Sequence, residues 1–482
     1  MLDRVRIPRL LIAGAEGGSG KTSVTLGLVV ALRARGRSVQ TFKVGPDFVD
    51  CAYLAHAAGR PCRNLDSWIL GTEALGRSLV RGSMAADCAL IEGGAGLFDS
   101  RSGPDPWPGS GAGRDFPGST ADVAHIVGAP VLLVLDVSAT GETAAAIALG
   151  LRQLDADLDI AGVILDRVPS PERRTLVEDA IWHRARIPVL GAVPWIPEAE
   201  IPELRSGLLP VAQNPHVDAA IAALGAAVTR ECDLDLIERV MLRAEPVPAP
   251  VHARREPGPP VRVGVAFDDA FSCYYAENLE ILEDAGGEIV TFSPLEDREL
   301  PEDLGAIYLG GGLGEAHLPR LAANHGFLAA LRRAHAHGMP IYAEAGGLVC
   351  CARSARLGDG SAVRLAGLLP LDIGVGATRC ERGYRELRIE TDCLLGPRGA
   401  KLRGHEVRSA QLLSAAPGVA PAYAMHGCDG EPLGCEGWAA GNLLGSFVHL
   451  HFGQAPEVVD RLLERARRCR EERRALSTWE EA

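Results

Sequence analysis

The run AGAEGGSGKTSVTLGL, residues 13–28, constrains the fold more than any other stretch of this chain. A short apolar strand, RLLIAGA, feeds a glycine loop, and Gly20-Lys21-Thr22 then opens an amphipathic helix. Strand, glycine loop and helix in that order form a cradle for a phosphate chain. The backbone N–H groups of Gly17, Gly18, Ser19 and Gly20 and the positive end of the helix suit phosphate oxygens. Lys21 offers a point charge to the outer phosphates, and the Thr22 hydroxyl, with Ser23 beside it, is placed to ligate magnesium. The usual G-x-x-x-x-G-K-T spacing is broken once: Ala15 stands where the first glycine is expected, and Gly14 lies one place earlier.

The first half continues as short apolar runs alternating with helical patterns: VQTFKVG, CALIEGG, APVLLVLDV, ETAAAIALGLRQL, IAGVIL and IPVLGAVP. Such alternation predicts crossover units and a mostly parallel sheet. Runs apolar throughout, such as PVLLVLDV, predict helices on both faces. A ligand then binds beyond the carboxyl ends of the strands. Asp47 in KVGPDFVD, Glu92 and Asp99 in LIEGGAGLFD, and Asp136 in LVLDVS all fall there, where carboxylates suit magnesium and a phosphoryl acceptor.

The proline-rich stretch AEPVPAPVHARREPGPPVR, residues 244–262, reads as a semi-rigid linker. Domains are therefore expected at 1–245 and 261–476, with the linker at 246–260. The second half repeats the α/β style with VRVGVAF, EIVTFSP, AIYLGGG, a helix around 317–336 and PIYAEA. From about residue 365 the strands read as shorter and more antiparallel, ending in GNLLGSFVHLHFG and a charged helix over 455–475.

Composition excludes several classes. At 482 residues the chain is too long for one core. A net charge of −13 argues against a nucleic-acid partner. No stretch of eighteen or so apolar residues predicts a membrane span. Arg4, Arg6 and Arg9 precede LLIAGA, but that run is too short for a signal core, so a cytoplasmic protein is expected. Twelve cysteines without a C-x-x-C pair predict reduced thiols and no zinc site.

MPIYAEAGGLVCC, residues 339–351, reads as a strand, a sharp turn and a helix start. Hydrolases display a Ser or Cys at such a turn. Here the apex is Ala345.

KVGPDFVD, RNLDSW, LIEGGAGLFD, STADVAHIVGAPVLLVLD and AGVILDRV resemble the ATP half of the cobyrinic acid a,c-diamide synthase family. FDDAFSCYYAENLEILEDAGGEIVTFSPLED, YLGGGLGE, YAEAGG and GNLLGSFVHLHF resemble its glutamine amidotransferase half, in the same order and over nearly the whole chain. The resemblance implies an α/β fold: a P-loop NTPase domain with a mostly parallel sheet, joined to a class I glutamine amidotransferase-like α/β domain. It implies a ligase that uses ATP and Mg2+ to activate acetate carboxylates of a tetrapyrrole as acyl phosphates. Ammonia from glutamine then displaces the phosphate.

By motif position, Lys21 and Thr22 hold phosphate and metal, Asp47 and Glu92 assist the metal, and Asp99 belongs to the substrate-activating set. Asp166 replaces an asparagine that reads the nucleotide base, His449 matches the glutaminase base, and Gly311, Gly312 and Gly346 supply oxyanion N–H groups. His451, near His449, offers a chelating pair as a rival reading. Ala345 takes the place of the nucleophilic cysteine, so the glutaminase is expected to be inactive by the family route; the alanine is either an engineered substitution, or natural with free ammonia or a partner's glutaminase as nitrogen source, or the mark of a half that has become a scaffold. Phe267, Asp166 and the altered IPELRSGL and GHEVRSA runs depart from the family pattern. They leave open cobyrinic or hydrogenobyrinic acid against the sirohydrochlorin of sirohaem amidases, and also a non-catalytic, ATP-switched tetrapyrrole-binding protein. A homodimer is compatible with the apolar helices.

Overall fold

The structure, a computed structural model, describes residues 4–99, 116–204, 207–248, 257–376, 380–416 and 419–480. The chain forms two compact units, one made chiefly of residues up to Val251 and the other from His252 onward. Of the expected linker, Val247–Pro248 pairs antiparallel with Arg4–Val5, and residues 249–256 lie outside the described residues.

In the first unit the apolar runs become β1 (Arg9–Gly14), β2 (Val39–Val44), β3 (Arg63–Leu65), β4 (Cys88–Glu92), β5 (Val131–Asp136), β6 (Ile160–Val168) and β7 (Val189–Pro194). They form one sheet in the order β3-β2-β4-β1-β5-β6-β7, and every neighbouring pair is parallel. Leu10, Leu11 and Ile12 of β1 are wholly inaccessible, because helices cover both faces of the sheet. Burying each such side chain stabilises the unit by roughly 1.5–3 kcal/mol. Arg9, which sits among the signal-like arginines, is fully buried as the first residue of β1 and donates to the carbonyls of Ile7 and Val127.

The phosphate-loop helix α1 (Lys21–Ala34) is clamped from behind by a helix spanning Val217–Glu231. A Cβ at Gly27 would lie 2.4 Å from Val228, and one at Gly225 would lie 2.3 Å from Val30, so the small residues are what let the two helices approach. The clamp fixes the axis along which the first turn of α1 presents its N–H groups.

The second unit contains β8 (Val261–Ala266), β9 (Gly287–Phe292), β10 (Leu304–Leu309) and β11 (Ile341–Glu344). These pair parallel in the order β9-β8-β10-β11, and β11 pairs parallel with a strand at Leu443–Ser446. Beyond it the sheet turns antiparallel, through Pro432–Ala440, Pro421–His426, Glu381–Ile389 and Lys401–Arg408 to Val448–Leu450. The expected single helix over 317–336 is broken. Leu318–Ala323 ends at Asn324, whose side chain accepts from Phe327 N and starts a second helix, His325–Ala336. An asparagine side chain competes with the helix ladder and favours a cap at this point.

Candidate active site

At the carboxyl end of β1 the loop closes on itself. Lys21 Nζ donates to Glu16 O at 2.8 Å, and Gly20, with φ 89°, turns into α1. A Cβ on Gly14 would sit 2.0 Å from Ser19 Oγ, so Gly14, one place early in the motif, supplies the close approach while Ala15 does not need to. Lys21 is 6% exposed, and burial, with the charge of Lys43 next, pushes its pKa down to about 8. An incoming phosphate would restore its full charge. Ser19 is also buried, Ser23 lies half-buried in the first turn, and Gly17 and Gly18 leave open space above the loop.

Two strands away, Lys43 and Glu92 face each other in register across β2 and β4. Lys43 Nζ lies 2.6 Å from Glu92 Oε1 and 2.6 Å from Asp50 Oδ2. Burial opposes the lysine charge, but Glu92, Asp50 and Asp47 outweigh it and hold Lys43 above the usual lysine range. Thr22 Oγ1 donates to Glu92 Oε1 at 2.8 Å, which ties the cluster to the phosphate loop. Glu92 is wholly buried, and its Oε2 has no hydrogen-bond partner among the described residues. One orphaned carboxylate oxygen beside a threonine hydroxyl suits a hard cation that takes its remaining ligands from phosphate and water. Among the described residues no three His, Cys, Asp or Glu side chains form a metal cage of their own.

The other acids are placed differently. Asp47 accepts from Asp50 N, in the first turn of the helix Val49–Ala58, at 2.7 Å; the carboxylate that reaches Lys43 is Asp50. Asp99 is exposed and accepts from Gly96 N at 2.6 Å, closing a turn after β4. Asp166 ends up against the phosphate loop, where a Cβ on Gly20 would lie 2.0 Å from its Oδ2. Burial pushes the Asp166 carboxyl up to about 7 against the pull of Arg167. Arg167 bridges this corner: its guanidinium donates to Asp136 Oδ2 at 2.5 Å and Gly18 O at 3.1 Å, and lies 5.8 Å from the exposed Trp195 ring. Lys43, Asp50, Arg167 and Trp195 were not singled out by sequence reasoning; Lys43 and Asp50 had a signal, as the charged ends of KVGPDFVD.

In the second unit the turn after β11 keeps a strained nucleophile geometry. Ala345 has φ 44° and ψ −99°, a conformation that costs an L-residue about 1–3 kcal/mol, and it caps a helix of Gly346–Cys351. The backbone is held there by Ala345 N donating to Ser446 O at 2.7 Å and Gly347 N donating to Gly310 O at 3.0 Å. The glycine loop after β10 thus abuts the turn, with Gly312 at φ 112°, and Gly346 packs so close that a Cβ would lie 2.7 Å from Leu313 N. Cys350 is fully buried and its thiol is pushed up to about 12 by burial, which leaves it inert.

His449 is 4% exposed, with Nδ1 3.5 Å from Glu344 Oε2. Glu344 is fixed by the hydroxyls of Tyr308 at 2.8 Å and Tyr342 at 2.7 Å and by Leu450 N at 3.0 Å. A carboxylate beside Nδ1 suits an imidazole that takes up a proton at Nε2. His405, directly opposite in the strand pair, is held neutral: burial first, then His449, lowers it to about 3. His451 turns to other partners, its ring 4.8 Å from Tyr275 and its Nδ1 accepting from Gly453 N, so the two histidines do not form a chelating pair.

A parallel-sheet P-loop unit joined to a unit with a nucleophile turn, a histidine and a glycine loop defines an amide-forming ligase of the glutamine amidotransferase type. Residues 10–206 match the CobQ/CobB/MinD/ParA nucleotide binding domain, and residues 262–457 match the CobB/CobQ-like glutamine amidotransferase domain. The cobyrinate a,c-diamide synthase of Dehalococcoides mccartyi strain 195 is 38% identical over 94% of this chain and 97% of its own. That of Syntrophotalea carbinolica is 39% identical over 93% and 96%, and the hydrogenobyrinate a,c-diamide synthase of Streptomyces coelicolor is 34% identical over 96% and 98%. The chain belongs to the cobyrinate a,c-diamide synthase family. Among solved structures, PurLQS from Thermotoga maritima covers 42% of this chain and 98% of its own at 16% identity with a TM-score of 0.34, too loose a likeness to bear on the site. No described helix is long and apolar enough to cross a membrane.

Proposed function

We propose that this chain amidates acetate carboxylates of a tetrapyrrole of the cobyrinic or hydrogenobyrinic acid type, in the cytoplasm, through an ATP-derived acyl phosphate. The observation that carries the reading is the phosphate cradle of Lys21, Thr22 and Glu92, in a chain that matches cobyrinate a,c-diamide synthases over nearly all its length. A carboxylate is a poor acyl donor until one of its oxygens leaves as phosphate, and that transfer asks the protein mainly for positioning and charge neutralisation. Glu92 Oε2 and Thr22 Oγ1 would hold Mg2+, which supplies charge neutralisation on the phosphates. Lys21 steadies the outer phosphates, and Lys43 opposes the burial that raises the Glu92 carboxyl and keeps it aimed. Asp99, beyond β4, belongs on the acceptor side, and Asp166 with Arg167 and Trp195 on the side of the base.

The methyl group of Ala345 cannot attack glutamine's amide, so the family's thioester route through residue 345 is closed. Ammonia is the nitrogen source that needs nothing from that residue. With ATP, Mg2+ and ammonium chloride, ADP release is expected to depend on added cobyrinic acid and to match the amide formed. Faster amidation of sirohydrochlorin in the parallel assay would move the ring assignment to the sirohaem amidases, and ATP binding without amide on either ring would leave a tetrapyrrole-binding protein.

A further inference from the structure

The second unit keeps the costly parts of a glutaminase around a residue that cannot react: a strained turn at Ala345, a buried Glu344 and His449 pair, and a glycine loop. Around Gly311 these parts meet a different thiol. Cys273 N donates to Gly311 O at 3.1 Å, which pairs the segment after β8 with the glycine loop. A methyl group built on Gly311 would lie 3.0 Å from His449 Nε2, 2.4 Å from His449 Cε1 and 3.3 Å from Cys273 Cβ. The His449 Nε2 and the Cys273 Cβ therefore both border the space that a side chain at 311 would fill. Cys273 is partly exposed, whereas Cys350 and Cys351 are buried. Glu344 lies on the Nδ1 side of His449 and the Cys273 Cβ borders the same glycine as Nε2, an order that suits an orienting carboxylate, a base and a nucleophile.

We propose that Cys273 is the glutaminase nucleophile of this chain, taking over from residue 345. The inference rests on the reading that Ala345 closes the family route, and it states what replaces that route. The Cys273 thiol gives its proton to His449 Nε2, and its sulfur forms a bond to the side-chain carbonyl carbon of glutamine. The C–N bond then breaks as His449 returns the proton to the departing nitrogen, which leaves as ammonia. Water cleaves the thioester to glutamate and restores the thiol. Free Cys pKa values lie near 8.5, and a neighbouring histidine is the usual means of making a thiolate available near neutral pH.

The test uses the full-length protein with glutamine, ATP, Mg2+ and cobyrinic acid, following glutamate release. In parallel the protein is treated with 6-diazo-5-oxo-L-norleucine, an alkylating analogue of glutamine, and its peptides are mapped by mass spectrometry. The expected result is glutamate release, the label on Cys273, and a loss of roughly a hundredfold or more in glutamate release for Cys273→Ser with its circular dichroism retained. Should that variant fail to fold, the position of the label on the unaltered chain decides. No glutamate release from the unaltered chain, a label on another cysteine, or release that survives Cys273→Ser overturns the proposal. Failure of the ammonium-driven reaction would instead strike the proposed ligase function, so the two readings fall to different measurements.

Discussion

Lys21→Ala is expected to lower ammonium-driven amide formation about a thousandfold while leaving the fold in place. The Lys21 ammonium is held inside the loop by Glu16 O, and burial together with Lys43 pushes its pKa down to about 8. A cation kept at that disadvantage in the free protein gains most when phosphate arrives, so its interaction is stronger in the bound and reacting state than before binding. Removing one preorganised charge from a site where charge develops costs on the order of a hundredfold to a thousandfold, and phosphoryl transfer has no side-chain nucleophile to compensate. Deleting a buried cation also relieves repulsion with Lys43, so thermal stability should not fall with the rate. Steady-state ADP release and amide formation measured together check this; amide formation within tenfold of the unaltered chain would remove Lys21 from the phosphate cradle.

Lys43→Met is expected to destabilise the nucleotide-binding unit by about 3–5 kcal/mol, because it leaves buried carboxylates without their cation. Lys43 is 5% exposed and serves Glu92, Asp50 and the Gly93 carbonyl together. Methionine fills similar space but returns none of those contacts. Adding Glu92→Gln to the same chain should recover part of the loss, since the second change removes the charge that the first one strands. Guanidinium titration of the single and double variants, followed through the transition of this unit, gives the coupling directly. A loss below about 1 kcal/mol for Lys43→Met would mean that the buried carboxylates do not depend on the lysine.

The strands and the phosphate loop were legible in the sequence because their signals are local. RLLIAGA is apolar along its length, β1 is buried along its length, and Gly20-Lys21 marks the turn into α1. The Lys43 to Glu92 pair was not legible, although both residues lie in quoted motifs. Their contact depends on β2 and β4 being neighbours in register, and 49 residues separate them in the chain. Asp47 reads as a metal ligand from the sequence, and a short carboxylate after a strand suits equally the bond it accepts from Asp50 N. In the second unit the turn at Ala345 could be read from strand and glycine pattern alone. Glu344 hid in the apolar run as though it were part of the strand, and its hydrogen bond from Leu450 N spans 106 residues. Cys273 gave no signal of its own, since its relation to His449 exists only where the glycine loop folds between them.

ATP is expected to activate a carboxylate before nitrogen attacks it, and oxygen-18 tests that order. A tetrapyrrole acid carrying oxygen-18 in its acetate carboxylates is incubated with the protein, ATP, Mg2+ and ammonium chloride, and the inorganic phosphate released is analysed by mass spectrometry. An acyl phosphate must transfer one labelled oxygen to phosphate for each amide formed. Amide formed alongside unlabelled phosphate, or ADP and phosphate released with no amide at all, would rule out an acyl phosphate.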